Sequence, residues 1–253
     1  MKTFVHSGRM GDILYSLYYV THILPPGEPC EFVLKYGVSA WDPSGRPHMM
    51  ERDDALFLYP LLFEQPYIRN VYIYGCKEKI PGDNIELDGF RRNMHVTIGR
   101  EIRTWYYPRG PVIPGEFERK VLTIPETRLF EEAAGRIAIC FTPRYVQGFP
   151  VDVLRLYRDR LVFVGLPEEY SAFCQDHFPV EYHGIEDALD LAMFMASCAG
   201  FVGNVSGTFA IAECAKLPRV LCLQRGGGNV RVYCNGKEAA NEKELVRAIE
   251  EMF

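Results

Sequence analysis

The sequence predicts an α/β protein built from two Rossmann-like halves. Short β-rich runs alternate with segments of helical periodicity, an order typical of parallel sheets covered by helices. The alternation starts at the N-terminus and starts again at residue 136, and 253 residues suffice for two compact domains. With 48% hydrophobic and 24% charged residues, the composition is that of a globular protein and excludes disordered and collagen-like chains. We therefore expect domains over residues 1–125 and 126–253.

The first βα unit is the most regular part of the chain. Residues 3–6 predict a strand, Ser7 to Gly11 a loop and residues 12–24 a helix. Apolar side chains recur in this helix at the i, i+3, i+4 spacing of a buried face, at Ile13, Leu14, Leu17, Val20 and Leu24. Two prolines and a glycine at 25–27 end the helix, and residues 31–35 predict the next strand.

The rest of the N-terminal half is less regular because proline, glycine and arginine interrupt the apolar pattern. Residues 70–74 and 94–98 are strand candidates, and the Leu/Phe-rich run at 59–66 predicts a core helix. In the C-terminal half, strands are predicted at 136–141, 160–164, 200–203 and 219–223, with helices at 186–197, from Gly207 and from Asn241. Asn241 with Glu244 has the spacing of an N-cap followed by an acidic residue in the first turn.

Charge and cysteine usage narrow the function classes. A net charge of −5 gives no global basic field for nucleic acid or anionic lipid. A local basic and aromatic stretch could contact nucleic acid or an anionic glycan, although a solvated face with packed aromatics is favoured: Arg91, Arg92, Arg100, Arg103, Trp105, Tyr106, Tyr107 and Arg109. The eight cysteines form no C-x-x-C pair, which favours free thiols in a reducing cytoplasm. We expect no metal site, no spanning helix and no secretory signal.

Two strand–turn–helix loops are the candidate binding sites, because ligands of parallel sheets bind at such turns. In the first, Asp12 is expected at the helix N-cap, where a capping role and a catalytic role are equally supported. His6 ends the preceding strand, where a hydrogen-bonded packing histidine is the commoner outcome. Neither G-x-G-x-x-G nor a Walker loop is present in this turn.

The second loop follows residues 200–203 and contains Asn204, Ser206, Gly207 and Thr208. Free amides at the start of the following helix and two hydroxyls would form an anion cradle for a phosphate or diphosphate without a metal. In the alternative interpretation, Ser206 or Thr208 only caps the helix. Glu213, six residues into the helix, either reaches solvent or faces a polar ligand group. Residues 224–229 are either a flexible lid or an ordinary turn.

The two loops carry a resemblance to a known family. HSGRMGDILYSL resembles the opening motif of the ADP-heptose:lipopolysaccharide heptosyltransferases, glycosyltransferase family 9, and FVGNVSGTFAIAECAKLPRVL resembles their second-domain signature. The chain looks like a compact branch of this group found in bacteriophages and bacteria. The resemblance implies a GT-B fold, in which two Rossmann-like domains face each other across a cleft. It also implies a nucleotide-sugar donor against the C-terminal half and an acceptor against the N-terminal half.

The resemblance also assigns residues. Asp12 matches the family's general base, and the acceptor-side loop comprises His6, Ser7, Gly8 and Gly11. The donor-binding residues it implies are Arg144, Tyr145, Asn204, Ser206, Gly207, Thr208 and Glu213, the last as a ribose-binding carboxylate. The leaving diphosphate would be stabilised by a helix N-terminus, hydroxyls and basic side chains, with neither a metal nor a cofactor. An inverting transfer to a hydroxyl acceptor is the activity implied.

Two departures from the family pattern leave alternatives open. Val205 and Ala210 stand where the heptosyltransferases have an acidic residue and a phosphate-binding histidine, so another donor or loss of turnover is implied. A non-catalytic nucleotide or nucleotide-sugar binding protein is therefore the second hypothesis, and a structural interaction protein the third. The acceptor could be a hydroxymethylated DNA base or a surface glycan. The sequence predicts neither the sugar nor the oligomeric state.

Overall fold

A computed structural model describes residues 1–39, 49–96, 100–107, 115–125, 130–143, 149–223 and 229–253, with backbone alone at 92–96. The chain divides into two compact units. The first comprises Met1–Thr123 and Asp187–Leu189, and the second comprises Ile124–Glu186 and Asp190–Phe253.

The first unit contains a four-stranded parallel sheet with the order β3-β2-β1-β4. Its strands are β1 (Thr3–His6), β2 (Cys30–Tyr36), β3 (Ile68–Gly75) and β4 (Asn84–Glu86). Its helices are α1 (Met10–Ile23) and α2 (Arg52–Phe63), with 3-10 helices at Leu87–Val96, Ile102–Tyr106 and Glu116–Glu118. Most apolar side chains of β1, β2 and α1 are buried, as expected for a parallel sheet that is covered by helices.

The second unit contains a six-stranded parallel sheet with the order β10-β9-β8-β5-β6-β7. Its strands are β5 (Ile137–Cys140), β6 (Leu161–Val164), β7 (Glu181–His183), β8 (Gly200–Gly203), β9 (Arg219–Cys222) and β10 (Gly236–Ala239). Its helices are α3 (Pro167–Asp176), α4 (Ala188–Ser197), α5 (Gly207–Ala215) and α6 (Glu242–Met252), with 3-10 helices at Glu131–Ala133 and Val151–Arg160. Four central strands are buried along their whole length.

Each sheet has one topological switch point, where the strand order reverses. In the first sheet the chain moves outward from β1 to β3, and β4 then pairs with the other side of β1. In the second sheet the chain moves from β5 to β7, and β8 then pairs with the other side of β5. Ligands of open α/β sheets bind beyond the carboxyl ends of the strands at such a point. The loops after β1, β4, β5 and β8 are therefore the places to look for a site.

The structure confirms the α/β class, the predicted strands at 3–6, 31–35 and 70–74, and the four strands predicted in the second half. Two predictions were wrong. Helix α1 begins at Met10 with Arg9 as its N-cap, so Asp12 lies in its first turn and does not cap it. Residues 94–96 belong to a 3-10 helix and not to a strand, while 97 and 98 lie outside the described residues. The segment after β4 lies next to β1 because the short strand β4 pairs with β1. The sequence analysis did not predict β4.

All eight cysteines are free thiols, as predicted, and four of them are buried. Within the part of the chain that the structure describes, no helix combines the length and apolarity needed to cross a membrane. The same residues contain no group of three His, Cys, Asp or Glu side chains arranged to hold a metal ion.

Candidate functional site

The switch point of the first sheet brings together side chains from β1, α1 and the segment after β4. We name this cluster the β1–β4 site, comprising His6, Ser7, Gly8, Asp12, Asp88, Arg91 and Tyr106. The Asp12 Oδ2 atom lies 2.5 Å from the Arg91 guanidinium. Their side chains are 18% and 21% exposed, so both are within reach of a ligand. Oδ1 of Asp12 has no hydrogen-bond partner among the side chains that the structure describes.

Asp88 fixes the loop that carries Asp12. Its Oδ2 accepts hydrogen bonds from the Ser7 amide at 2.5 Å and the Ser7 hydroxyl at 2.6 Å. Its Oδ1 lies 3.0 Å from His6 Nδ1 and 3.5 Å from Arg91 Nε. Burial alone raises the pKa of Asp88, but the charge and hydrogen bonds of His6, Ser7 and Arg91 outweigh it and hold the pKa well below its usual range. Asp88 is therefore a fixed anion at neutral pH.

His6 is a buried packing histidine and presents no free ring nitrogen. Its Nδ1 lies 2.9 Å from the Gly8 amide, and its Nε2 lies 3.3 Å from the Tyr106 hydroxyl. The Tyr106 hydroxyl in turn donates to the Asp12 carbonyl at 2.7 Å. This chain of contacts ties the end of β1 to the first turn of α1, so His6 supports the position of Asp12 and does not itself face a ligand.

Gly8 permits this packing, because no larger residue fits. A Cβ at Gly8 would lie 2.6 Å from His6 Cε1, 2.8 Å from an Arg91 guanidinium nitrogen and 3.0 Å from Asp12 Cβ. Gly11 lies in the first turn of α1. The expected acceptor-side loop thus acts as a scaffold around Asp12, and the sequence analysis missed its two other charged members, Asp88 and Arg91, as partners of this loop.

The basic and aromatic stretch is a solvated face only in part: Arg100 is exposed, and its aromatic rings Trp105 and Tyr106 pack against Phe90, as predicted. Arg103 is fully buried, pairs with Glu101 at 2.5 Å and lies over three aromatic rings, Tyr15, Tyr18 and Phe117. Tyr106 is also buried, and Arg91 is paired with Asp12. Arg91, Arg103 and Tyr106 are therefore not available to bind nucleic acid. The Arg92 side chain and Arg109 lie outside the described residues.

The switch point of the second sheet forms a second cluster, which we name the β5–β8 site: Cys140, Thr142, Glu169, Asn204, Ser206, Gly207 and Thr208. Asn204 connects its two loops. Its Oδ1 accepts from the Thr142 amide at 3.0 Å, and its Nδ2 donates to the Thr142 carbonyl at 2.8 Å. Because both ends of the buried amide are engaged, the expected contact of the Asn204 side chain with a ligand is not supported; Asn204 holds the loops after β5 and β8 together.

Helix α5 begins directly at this switch point. Ser206 is its N-cap and accepts a hydrogen bond from the Phe209 amide at 3.0 Å, as the capping interpretation predicted. The amides of Gly207 and Thr208 have no partner among the described residues, as is usual in the first turn of a helix. A Cβ at Gly203 would lie 2.4 Å from the Cys140 carbonyl, so glycine is needed where the turn starts. The geometry is that of an anion cradle.

Glu169 is a member of this site that the sequence analysis missed. It lies in the first turn of α3, where Oε2 accepts from the Leu166 amide at 3.3 Å and lies 3.8 Å from the Cys140 thiol. Burial raises the pKa of Glu169. Burial likewise raises the pKa of the Cys140 thiol, which stays protonated. The sequence does place a glutamate in the first turn of the helix after β6, in the position of a capping box. Such a glutamate usually caps a helix, so its position alone does not indicate a functional site.

Glu213 does not occupy the position expected of a ribose-binding carboxylate. It is fully buried, and its Oε2 accepts from Arg219 Nε at 2.6 Å while Oε1 accepts from Lys216 at 2.6 Å. The Arg219 guanidinium also donates a hydrogen bond to the Tyr233 carbonyl at 2.5 Å. The ion pair therefore anchors the segment before β10. Arg144, Tyr145 and most of the predicted lid, residues 224–228, lie outside the described residues.

Two Rossmann-like units in one chain, each with a loop and helix N-terminus at its switch point, are the architecture of the GT-B fold. Solved structures with that fold are similar to this chain. A family 9 glycosyl transferase from Veillonella parvula has a TM-score of 0.63 at 10% identity, with 99% of this chain and 89% of that chain covered. The Escherichia coli heptosyltransferase WaaC, solved with ADP, has a TM-score of 0.62 at 14% identity, with both chains covered completely.

A third neighbour, the E. coli ADP-heptose lipopolysaccharide heptosyltransferase II, has a TM-score of 0.53 at 11% identity, with 100% of this chain and 98% of that chain covered. No protein-family model and no curated protein sequence matches the chain. The likeness therefore confirms the GT-B-like fold and the resemblance to family 9 at the level of structure.

Proposed function

We propose that the protein is a glycosyltransferase that moves a sugar from a nucleotide-diphosphate donor to a hydroxyl acceptor. The proposal rests on what lies at the two switch points. After β1 there is a carboxylate, Asp12, with one oxygen unpaired among the described side chains, and the N-terminus of α5 offers amides that can bind an anion. A fold shared with WaaC, which binds ADP in its solved structure, supports a nucleotide donor. A second WaaC structure contains an ADP-linked fluorinated heptose, which supports a nucleotide-sugar.

In the proposed reaction, Asp12 Oδ1 takes the proton from the acceptor hydroxyl. The hydroxyl oxygen attacks the anomeric carbon as the bond from that carbon to the diphosphate oxygen breaks, which inverts the anomeric configuration. The diphosphate leaves with the electron pair. The Gly207 and Thr208 amides and the positive end of the α5 dipole stabilise its charge, so the transfer needs no metal ion.

The acceptor is proposed to be a carbohydrate or another neutral hydroxyl compound and not DNA. The overall charge is −5, and two of the arginines that the sequence offered for DNA phosphates are engaged elsewhere: Arg91 pairs with Asp12, and Arg103 is buried. Arg100 is exposed. Glu169, at the edge of the cradle, is placed to accept hydrogen bonds from sugar hydroxyls of the donor.

The first experiment is a thermal-shift screen of the protein against UDP-, GDP-, ADP- and CMP-linked sugars, with and without EDTA. The donor is expected to raise the Tm equally in both conditions. The donor identified in this way is then tested with labelled sugar and a panel of glycan and hydroxymethylated-DNA acceptors. Asp12→Asn should reduce transfer to a small residual rate and keep the donor-induced Tm shift. Unchanged transfer by Asp12→Asn would remove Asp12 from the mechanism.

A second candidate function is nucleotide or nucleotide-sugar binding without turnover. The observation that favours it is Ala210, which is fully buried in α5 and offers no group to a phosphate, together with Val205 before the N-cap. Donor-induced stabilisation without transfer to any acceptor or hydrolysis of the donor would support it, and one productive donor–acceptor pair would exclude it.

A further inference from the structure

We propose that Asp88 is a positioning residue of the β1–β4 site, which holds Asp12 in its working orientation through Arg91. The inference rests on the proposed function, in which Asp12 is the general base. Asp88 follows β4, and β4 pairs with β1, so it faces the loop that leads into α1. Every contact that its carboxylate makes in the described structure goes to this loop or to Arg91.

The link between Asp88 and Asp12 is a single guanidinium. Arg91 places its terminal nitrogen 2.5 Å from Asp12 Oδ2 and its Nε 3.5 Å from Asp88 Oδ1. Its guanidinium also lies 5.0 Å from the centroid of the Phe90 ring. Burial alone lowers the pKa of Arg91, but the two carboxylates raise it, so the bridging cation stays charged. A planar fork can bridge two carboxylates in a fixed geometry, which a lysine ammonium cannot.

This bridge has a consequence for the orientation of Asp12. Arg91 engages Oδ2, so the carboxylate cannot rotate freely about its Cβ–Cγ bond, and Oδ1 remains directed away from the guanidinium. The Ser7 amide and hydroxyl, both bound by Asp88, fix the backbone two residues before Arg9, the N-cap of α1. Asp88 thus controls both the loop that carries the base and the cation that orients it. A base displaced by about 1 Å can lose on the order of 100-fold in rate.

The test compares Asp88→Asn with Glu86→Gln, a matched control on the same segment whose side chain is exposed. We expect Asp88→Asn to lower kcat roughly 10- to 100-fold and to change the donor KM less than about twofold, because the donor binds elsewhere. Glu86→Gln should match the wild type. In the Asp12→Asn background, adding Asp88→Asn should leave the residual rate unchanged, since the base through which it acts is gone.

A spectroscopic measurement makes the test independent of activity. In protein labelled with ¹⁵N-arginine, the bridged guanidinium of Arg91 should give separate Nη signals, because rotation of its planar group is restricted. Asp88→Asn leaves Arg91 only its contact with Asp12, so exchange between those signals should be faster than in the wild type, whereas Glu86→Gln should keep the wild-type exchange rate. If Asp88→Asn fails to fold, Arg91→Lys takes its place in the kinetic comparison, because lysine keeps the charge but cannot bridge both carboxylates.

The outcomes separate the two claims. An unchanged exchange rate of the Nη signals in Asp88→Asn, or an equal loss of transfer rate with and without Asp12, would overturn the positioning role. An Asp12→Asn variant that transfers sugar normally would instead overturn the proposed function, whatever the Arg91 signals show. Faster exchange of the Nη signals with a non-additive loss of kcat would support both.

Discussion

Replacing Glu213 tests the strongest correction that the structure makes to the sequence analysis. Glu213→Ala removes the carboxylate from an ion pair whose two side chains are both fully buried. Breaking one partner of such a pair leaves an uncompensated buried charge, which costs about 3–5 kcal/mol. Arg219 keeps its hydrogen bonds to the carbonyls of Leu217 at 2.8 Å and Tyr233 at 2.5 Å, so we expect the lower end of this range.

A loss of about 3 kcal/mol in the free energy of unfolding corresponds to a decrease in Tm of roughly 10 °C for a protein of this size. The assay is urea unfolding followed by fluorescence, together with the Tm by calorimetry. The matched control is Glu250→Ala, which removes an exposed glutamate from α6 and should change the stability by less than about 0.5 kcal/mol. Nucleotide affinity, measured below the unfolding transition, should stay unchanged in both variants.

The opposite pattern would refute this reasoning. If Glu213→Ala kept its Tm and lost nucleotide affinity tenfold or more, the carboxylate would contact the donor, as the family resemblance implied.

Three further predictions concern other residues. Asn204→Ala should lower the free energy of unfolding by about 2–3 kcal/mol, because it leaves the Thr142 amide and carbonyl unpaired. The measurement is urea unfolding of Asn204→Ala, compared with the wild type and with Asn204→Asp. Folding lowers the pKa of Asp88, so the stabilisation from its carboxylate is present at neutral pH and is lost as the pH falls below about 4. In Asp88→Asn, the free energy of unfolding measured with urea should therefore decrease less between neutral and acidic pH than in the wild type. Burial raises the pKa of Cys30 and Cys198 to about 12, so both should react slowly with a thiol reagent in the native state, whereas the exposed Cys76 and Cys234 react fast; equal rates for all four would contradict the burial.

The fold class could be predicted because the sequence patterns that indicate helices and strands are local. Helix α1 repeats apolar residues at helical spacing, and β8 with α5 shows an apolar run that ends in Gly203 and a capping serine. Strand β4 was missed because three residues, Asn84–Glu86, are too few to show an alternating pattern.

The composition of the two sites was predicted only in part. The partner of Asp12 is Arg91, 79 positions away, and only the pairing of β4 with β1 brings the two together. The pattern left Glu213 open between solvent and a polar ligand group, and the family resemblance assigned it to a ribose. The sequence alone could not reveal that Glu213 is buried and paired with Arg219. The local sequence pattern therefore did not show which charged side chains pair in the folded chain.

The two switch points have a consequence for the history of the chain. Every described contact within the β1–β4 site comes from the first unit, and every described contact within the β5–β8 site comes from the second. A substitution in one cluster leaves the bonding of the other intact. Recombination near the junction of Thr123 and Ile124 would therefore transmit each cluster whole, so that the two clusters can be inherited and exchanged independently.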